Sequence, residues 1–293
     1  MLGSFVVLYL FLGGCGAGVL LTASLWSLLF YGTRTRTFEQ SRAFGVLAGK
    51  LYAGGFLLLA AAALCLLLDL GRPQRFLLLF VRPTPSLLSV GSFVLLASLL
   101  CAGVLAAIHF AAILRAPSAV RKGLEGACTV LAAALMVYTG LYMAWMEAVP
   151  LWNNAALPVL LALSSASSGL AAVLLTAPFS RDWPLLGGWA QALHRVHCLV
   201  LALEAAALVA FVGLAALSPF ARPSLGLLLA PEGLGAWFIG GFAIAAVALP
   251  LVAEVARGVT RTAAPLLASE VLCVLGGLIL RFCLVLAGSH WLG

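Results

Sequence analysis

Asp69-Leu70-Gly71-Arg72-Pro73-Gln74-Arg75-Phe76, running on to Arg82-Pro83-Thr84-Pro85, divides two long apolar runs, 45–68 and 87–114. A chain that crosses a bilayer can carry three arginines and an aspartate only at a water interface or against a partner, because an unpaired charge in hydrocarbon is costly. Gly71 and the prolines turn the backbone out of helical geometry between the two runs. The stretch therefore reads as a connection between two membrane spans, and the rest of the chain agrees. Hydrophobic residues make up 64% and charged residues 9% of the sequence, against about 25% charged in a soluble domain. Mean hydropathy is +1.18. This excludes a soluble globular enzyme.

A span needs about 20 mostly apolar residues to cross roughly 30 Å of hydrocarbon. Eight segments qualify: 5–31, 44–68, 87–114, 124–147, 156–178, 190–217, 234–253 and 263–288. The expected fold is all-α, a polytopic membrane protein of eight transmembrane helices arranged as two four-helix bundles. Residues 1–293 form a single integral membrane domain with possible halves 1–147 and 156–293. The first run has no basic residue before it and is too long for a cleaved leader, so it reads as the first mature span. A weak echo, Gly71-Arg72-Pro73 after span two and Ala221-Arg222-Pro223 after span six, suits two halves related by an axis along the membrane normal.

Lysine and arginine counts set the orientation. Eleven of the sixteen (Arg34, Arg36, Arg42, Lys50, Arg115, Arg121, Lys122, Arg181, Arg195, Arg257 and Arg261) lie in the first, third, fifth and seventh connections or the adjoining helix ends. That side is expected to be cytoplasmic, in a bacterial cytoplasmic membrane, with both termini outside. The +7 charge follows from topology and does not call for nucleic acid. Arg72, Arg75 and Arg82 then stand on the disfavoured outer face, which suits pairing or the docking of an acidic partner.

Seven cysteines (Cys15, Cys65, Cys101, Cys128, Cys198, Cys273 and Cys283) are scattered through the spans without a Cys-x-x-Cys pair. They read as small packing residues, with no ligand set for zinc or an iron–sulfur cluster. Gly14 and Gly18 are four apart in span one, and Ser164-Ser165-Ala166-Ser167-Ser168-Gly169 lies in span five; both patterns favour close helix packing. Tyr138, Tyr142 and Trp145 share one helical face near the outer end of span four, where an inward phenol can hydrogen-bond a carbonyl. His194, His197 and Glu204 fall on one stripe of span six, and an intramembrane carboxylate is a functional candidate, here for proton movement or for tying helices together. Glu270 and Arg281 lie about three turns apart on one face of span eight. Arg281 calls for a carboxylate partner, with Asp69 and Glu204 the candidates.

Several short stretches, in order, resemble the NrfD-like membrane subunits, the family that includes the polysulfide reductase membrane subunit. They are Leu68-Asp69-Leu70-Gly71-Arg72-Pro73 with Arg75-Phe76, Tyr138-Thr139-Gly140, Pro150-Leu151-Trp152-Asn153, Leu157-Pro158, the serine run ending at Gly169, and Gly276-Gly277-Leu278-Ile279-Leu280-Arg281 with Ala287-Gly288. The resemblance implies a quinone-interacting subunit of an oxidoreductase complex, taking menaquinone or a related quinone and holding no metal or covalent cofactor of its own. It implies a ferredoxin-like four-cluster iron–sulfur subunit as partner, with a molybdopterin catalytic subunit carrying the terminal reaction. Carried over by position, Asp69 and Arg72 match the family's polar loop, and Tyr138 matches its tyrosine near the quinone. Tyr9 falls where that family has a histidine, and Phe5 and Val6 fall where it has amides, a departure in half of the headgroup contacts.

The expected site is thus Asp69 and Arg72 as the reacting corner, with Arg72 keeping Asp69 ionised and oriented. Tyr9, Tyr138 and Tyr142 join them around the quinone. Glu204, His197, His194, Glu270 and Arg281 are the expected proton path, and Arg75 and Arg82 the docking residues. Two alternatives compete. A haem b subunit needs facing axial histidines, for which His109 and His197 are available. A proton-coupled secondary transporter would use Glu204 and Glu270, but Pro158, Pro178, Pro250 and Pro265 lie at span ends rather than breaking helices at mid-membrane.

Overall fold

In hydrocarbon every backbone N–H and C=O must be satisfied within the chain, which leaves helices as the form for apolar runs of this length. The computed structural model describes residues 4–33, 36–69, 87–110, 117–176, 179–180, 182–260 and 267–289. Among these residues there is no strand, and eight helical stretches are long and apolar enough to span a membrane. We label the helices α1 (Ser4–Gly32), α2 (Phe38–Asp69), α3 (Leu87–Phe110), α4 (Ser118–Ala144), α5 (Ala156–Leu174), α6 (Gly187–Leu217), α7 (Arg222–Leu229), α8 (Leu249–Thr260) and α9 (Leu267–Ser289). Residues Ala236–Ala248 wind as a π-helix that runs directly into α8.

Helix ends depart from the apolar limits where polar chemistry decides them. α2 starts at Phe38, ahead of the apolar run at 44, because Thr37 and Gln40 cap it reciprocally. The Gln40 amide nitrogen donates to Thr37 Oγ1 at 3.2 Å and the Thr37 nitrogen donates to Gln40 Oε1 at 3.1 Å, a capping box. The short α7, not expected as a separate element, begins with proline in its first turn and buries Ser224, Leu225 and Leu228.

α1 packs on α2 and α4, and α3 closes a ring with both. α5, α6, the π-helix with α8, and α9 form a second ring. The rings meet where α1 lies on α5, with α4 on α5 and α9 on α1. Small residues make this seam possible. A side chain at Gly18 would overlap the Ser165 carbonyl, and one at Gly169 would overlap the Gly18 backbone. The glycine run of α1 therefore serves close packing against the serine run of α5. Gly140 of α4 is pressed in the same way against Pro158.

The α4–α5 connection is pinned to the second ring. Trp152, 1% exposed, donates its Nε1 hydrogen to the Leu284 carbonyl at 2.9 Å. Asn154 Nδ2 donates to the Phe211 carbonyl at 3.0 Å. One end of the molecule, holding Asp69, the start of α1 and this connection, is called here the tyrosine end. The other, where α6 begins and α8 ends, is the histidine end.

Gly18→Val forces α1 and α5 apart, and overpacking of this kind costs about 1–3 kcal/mol. The variant should unfold at lower temperature in detergent than the wild type. Gly54→Ala, where an added Cβ meets nothing within 4 Å, should leave the transition unchanged. Equal transitions for both variants would remove the close-packing role of the seam.

Candidate functional site

The tyrosine end of the first ring collects phenols from two helices and a carboxylate from a third. Tyr9 of α1 and Tyr138 of α4 are buried, and each lies within electrostatic range of Tyr142. The Tyr138 and Tyr142 rings are 6.0 Å apart and tilted by 35°, as their spacing of one helical turn requires. Gly91 of α3 lies against the Tyr138 ring, so that a side chain there would overlap it. Asp69, the last residue of α2, is exposed and within electrostatic range of Tyr142. Tyr9, Tyr138, Tyr142 and Asp69 thus converge. Arg72, Arg75 and Arg82 lie outside the described residues, and so does the expected pairing of Arg72 with Asp69.

Arg281 stands where the rings meet. It is 1% exposed, and its guanidinium reaches three helices. Nε donates to the Leu10 carbonyl of α1 at 3.0 Å, and Nη1 donates to the Gly277 carbonyl of α9 at 2.7 Å and to Ser164 Oγ of α5 at 3.3 Å. Nη2 donates to Ser165 Oγ at 2.6 Å. The Ser165 hydroxyl spends its own hydrogen on the Leu161 carbonyl at 2.7 Å, which leaves its lone pairs for the guanidinium. The expected direct carboxylate partner is replaced by carbonyls and hydroxyls, whose negative ends satisfy a forked cation without a second desolvated charge. Asp69 sits at the exposed end of α2, away from this buried site. Glu204, 1% exposed, lies within electrostatic range of Arg281 with the Ser164 and Ser167 hydroxyls beside it.

The histidine end of the second ring holds a buried constellation. His194 Nδ1 and Glu254 Oε1 share a hydrogen bond at 2.6 Å. His197 Nδ1 lies 3.7 Å from the same oxygen and 3.3 Å from Glu270 Oε2. Cys273 is one turn beyond Glu270 on α9, and its thiol donates to the Ala246 carbonyl at 3.4 Å. His197, Glu204, Glu254, Glu270 and Cys273 are all buried. The structure thus brings His194, His197 and Glu270 together and sets Glu204 two turns further along α6. Glu254 completes the group, and sequence reasoning missed it. It lies one residue past the expected seventh span, 234–253, and so outside the rule for acids within spans that picked Glu204.

A second missed acid is Glu125 of α4, at the histidine end of the first ring. It is fully buried, accepts from Ser27 Oγ at 2.6 Å, and has Arg121 Nε at 3.7 Å. Arg121 also lies over the Tyr31 ring at 3.9 Å. Nearby, His109 stacks on Tyr52, with ring centroids 5.5 Å apart and planes within 19°. His109 thus belongs to the first ring and His197 to the second, so the two do not face each other as axial ligands would.

Comparison with known proteins places the whole architecture. The family described as "Polysulphide reductase, NrfD" matches residues 1–293. The chain belongs to the NrfD family. It is 27% identical to the C subunit of the polysulfide reductase of Wolinella succinogenes over 306 aligned residues, which cover 98% of this chain and 94% of that subunit. It is 39% identical to the protein NrfD of Escherichia coli over 97 residues, 33% of this chain and 30% of that protein. As an NrfD-family protein of eight spans, it is a membrane subunit of a redox complex.

Arg281→Lys keeps the charge but loses the fork that reaches α1 and α5. Each charge-assisted hydrogen bond contributes roughly 1.5–3 kcal/mol, and losing one or two should destabilise the fold by about 2–4 kcal/mol. Thermal unfolding of the purified protein in detergent measures this. An unshifted transition would mean the guanidinium does not hold the rings together.

Proposed function

We propose that this NrfD-family protein is the quinone-reactive subunit of its complex, with the headgroup site at the tyrosine end. The observation that supports it is the convergence of Tyr9, Tyr138, Tyr142 and Asp69 from three helices at one end of one ring. These residues fit a quinone. Phenols donate to ring carbonyls, a carboxylate at the water-facing rim takes up protons, and the missing side chain at Gly91 makes room for the Tyr138 ring. Bound there, menaquinol or a related quinol supplies two electrons and two protons.

Tyr138 and Tyr9 hold the ring oxygens by O–H donation, and Tyr142 lines the site between them and Asp69. In this reading Asp69 accepts a proton beside the reacting oxygen and passes it to water, and Arg72 is the residue that orients it. Electrons leave to a peripheral ferredoxin-like four-cluster iron–sulfur subunit, docked through Arg75 and Arg82, and from there to a molybdopterin catalytic subunit that carries the terminal reaction. In this reading the complex lies in a bacterial cytoplasmic membrane with the tyrosine end outside. A coupled proton route through His194, His197, Glu270 and Glu204 to the Arg281 seam is supported by their succession from the histidine end to mid-membrane. Glu254 joins that route through its contacts with both histidines.

Asp69→Asn should lower quinol-dependent turnover of the assembled complex by about 10²–10⁴-fold, the range for a lost general base, without preventing assembly. Tyr138→Phe should weaken quinone binding. Full turnover in Asp69→Asn would remove that residue from the chemistry. Glu204→Gln should abolish proton uptake from the histidine side in proteoliposomes while turnover at the tyrosine end persists. An unaltered proton trace would leave Glu204 as a structural tie.

A further inference from the structure

His197, Glu270 and Cys273 each offer one ligand atom to a common point, with these atoms within 4.8 Å of one another, and His194, Glu254 and Glu270 form an overlapping group of the same kind. His197 Nδ1 is 3.3 Å from one carboxylate oxygen and 3.7 Å from another. Those separations match the edges of a tetrahedron, about 3.3–3.8 Å for metal–ligand bonds of roughly 2.0–2.3 Å.

The lack of hydrogen-bond partners is the decisive feature. Neither ring nitrogen of His197 and neither carboxylate oxygen of Glu270 makes a hydrogen bond, although His197 Nδ1 stands 3.3 Å from Glu270 Oε2. His197 is 0% and Glu270 2% exposed, so bulk water does not satisfy them. Leaving such groups unpaired in hydrocarbon is costly.

The first ring offers a contrast within the same molecule. Glu125 and Cys128 have the same three-residue spacing on α4 as Glu270 and Cys273 on α9. One oxygen of Glu125, however, accepts from the Ser27 hydroxyl and stands 3.7 Å from Arg121 Nε, so that only its second oxygen is left without a hydrogen bond. Glu270 faces an imidazole, a thiol and a second carboxylate, with no lysine or arginine among its ion-pair partners in the described residues.

We propose that this constellation is a binding site for one divalent first-row transition ion of the Zn²⁺ class. His197, Glu270 and Cys273 are its three protein ligands, and Glu254 stands beside His197 at 3.7 Å. A nitrogen, sulfur and carboxylate set suits zinc better than the hard ions, which take oxygen alone. The Glu270 carboxylate and the Cys273 thiolate together match the charge of one divalent ion. His194, bonded to Glu254 at 2.6 Å and only partly buried, is the outer residue that orients the carboxylate and lies toward the entry. Cys273 then does more than pack, the role expected of every cysteine; the ligands come from two helices, α6 and α9. The site goes beyond the quinone reading and does not depend on it. Metal and protons compete for the same lone pairs, so occupancy closes any proton route through His197.

The test uses the full-length protein alone in detergent, free of iron–sulfur partners. It is stripped with chelator, exposed to Co²⁺ and desalted. Wild type should retain about one Co²⁺ per molecule with a thiolate-to-cobalt charge-transfer band, and Zn²⁺ should displace it, since cobalt reports tetrahedral sulfur ligation at zinc sites. Cys273→Ser should lose the band. His194→Ala should fold normally and bind about 10–100-fold more weakly, as loss of an outer-shell partner does. Wild type that retains no more cobalt than His197→Ala/Glu270→Gln overturns the proposal. So does a band that survives in Cys273→Ser.

Discussion

A guanidinium buried among membrane-spanning helices needs acceptors for its hydrogens, and the packing around Arg281 follows from that demand. Its donors end on α1, α5 and α9, the helices that form the meeting surface of the two rings. In lipid there is little hydrophobic gain from bringing helices together, so association rests on close contact and polar bonds. The glycine and serine runs supply the first, and Arg281 supplies the second. The two depend on each other: the Leu10 carbonyl and the α5 serines come within reach because Gly14 and Gly18 let α1 approach Ser165 and Gly169. A bulky residue on that seam would strand the guanidinium as well as separate the helices.

The polar groups away from the seam divide by ring and by end. Phenols and Asp69 gather at the tyrosine end of the first ring, and imidazoles and carboxylates gather at the histidine end of the second. Glu204 and Ser164 bridge towards the seam from the histidine side, while Leu10, the neighbour of Tyr9, receives the Arg281 Nε hydrogen from the tyrosine side. The polar trail is therefore diagonal. Along that diagonal, ionisable or hydroxyl groups follow one another from His194 and His197 through Glu204 and Ser164 to Arg281.

Much of this was legible in the sequence, for identifiable reasons. Eight spans follow from hydropathy because hydrocarbon leaves no other fold for such runs. The gathering of Tyr9, Tyr138, Tyr142 and Asp69 was legible because antiparallel spans put the start of α1, the end of α2 and the end of α4 at one end, and i, i+4 spacing aligns the α4 phenols. The acceptors of Arg281 were not legible. Two of its four bonds go to backbone carbonyls, and a carbonyl carries no residue signature. Glu254 escaped because it falls just past the expected seventh span, three residues before Arg257, where a charge reads as a helix end; its partners His194 and His197 come from α6, some 60 residues away in the chain. The early start of α2 escaped because a capping box, rather than apolarity, sets it.

The fixed cation on the seam also constrains what the diagonal can carry. A guanidinium stays charged under ordinary conditions, so an excess proton approaching it as a hydrated cation meets a like charge at low dielectric. The same arrangement excludes cations in pores lined by an arginine. Movement through Glu204 is not excluded by this argument, because a carboxyl takes up a proton as a neutral acid, and the serines beside it can turn their hydroxyls without transporting net charge. Arg281 thus joins the two rings mechanically, and in the proposed proton route it would favour stepwise exchange on Glu204 over a continuous water wire. In the quinone reading, that places the control of any coupling at Glu204, the last titratable group on the histidine side of the seam.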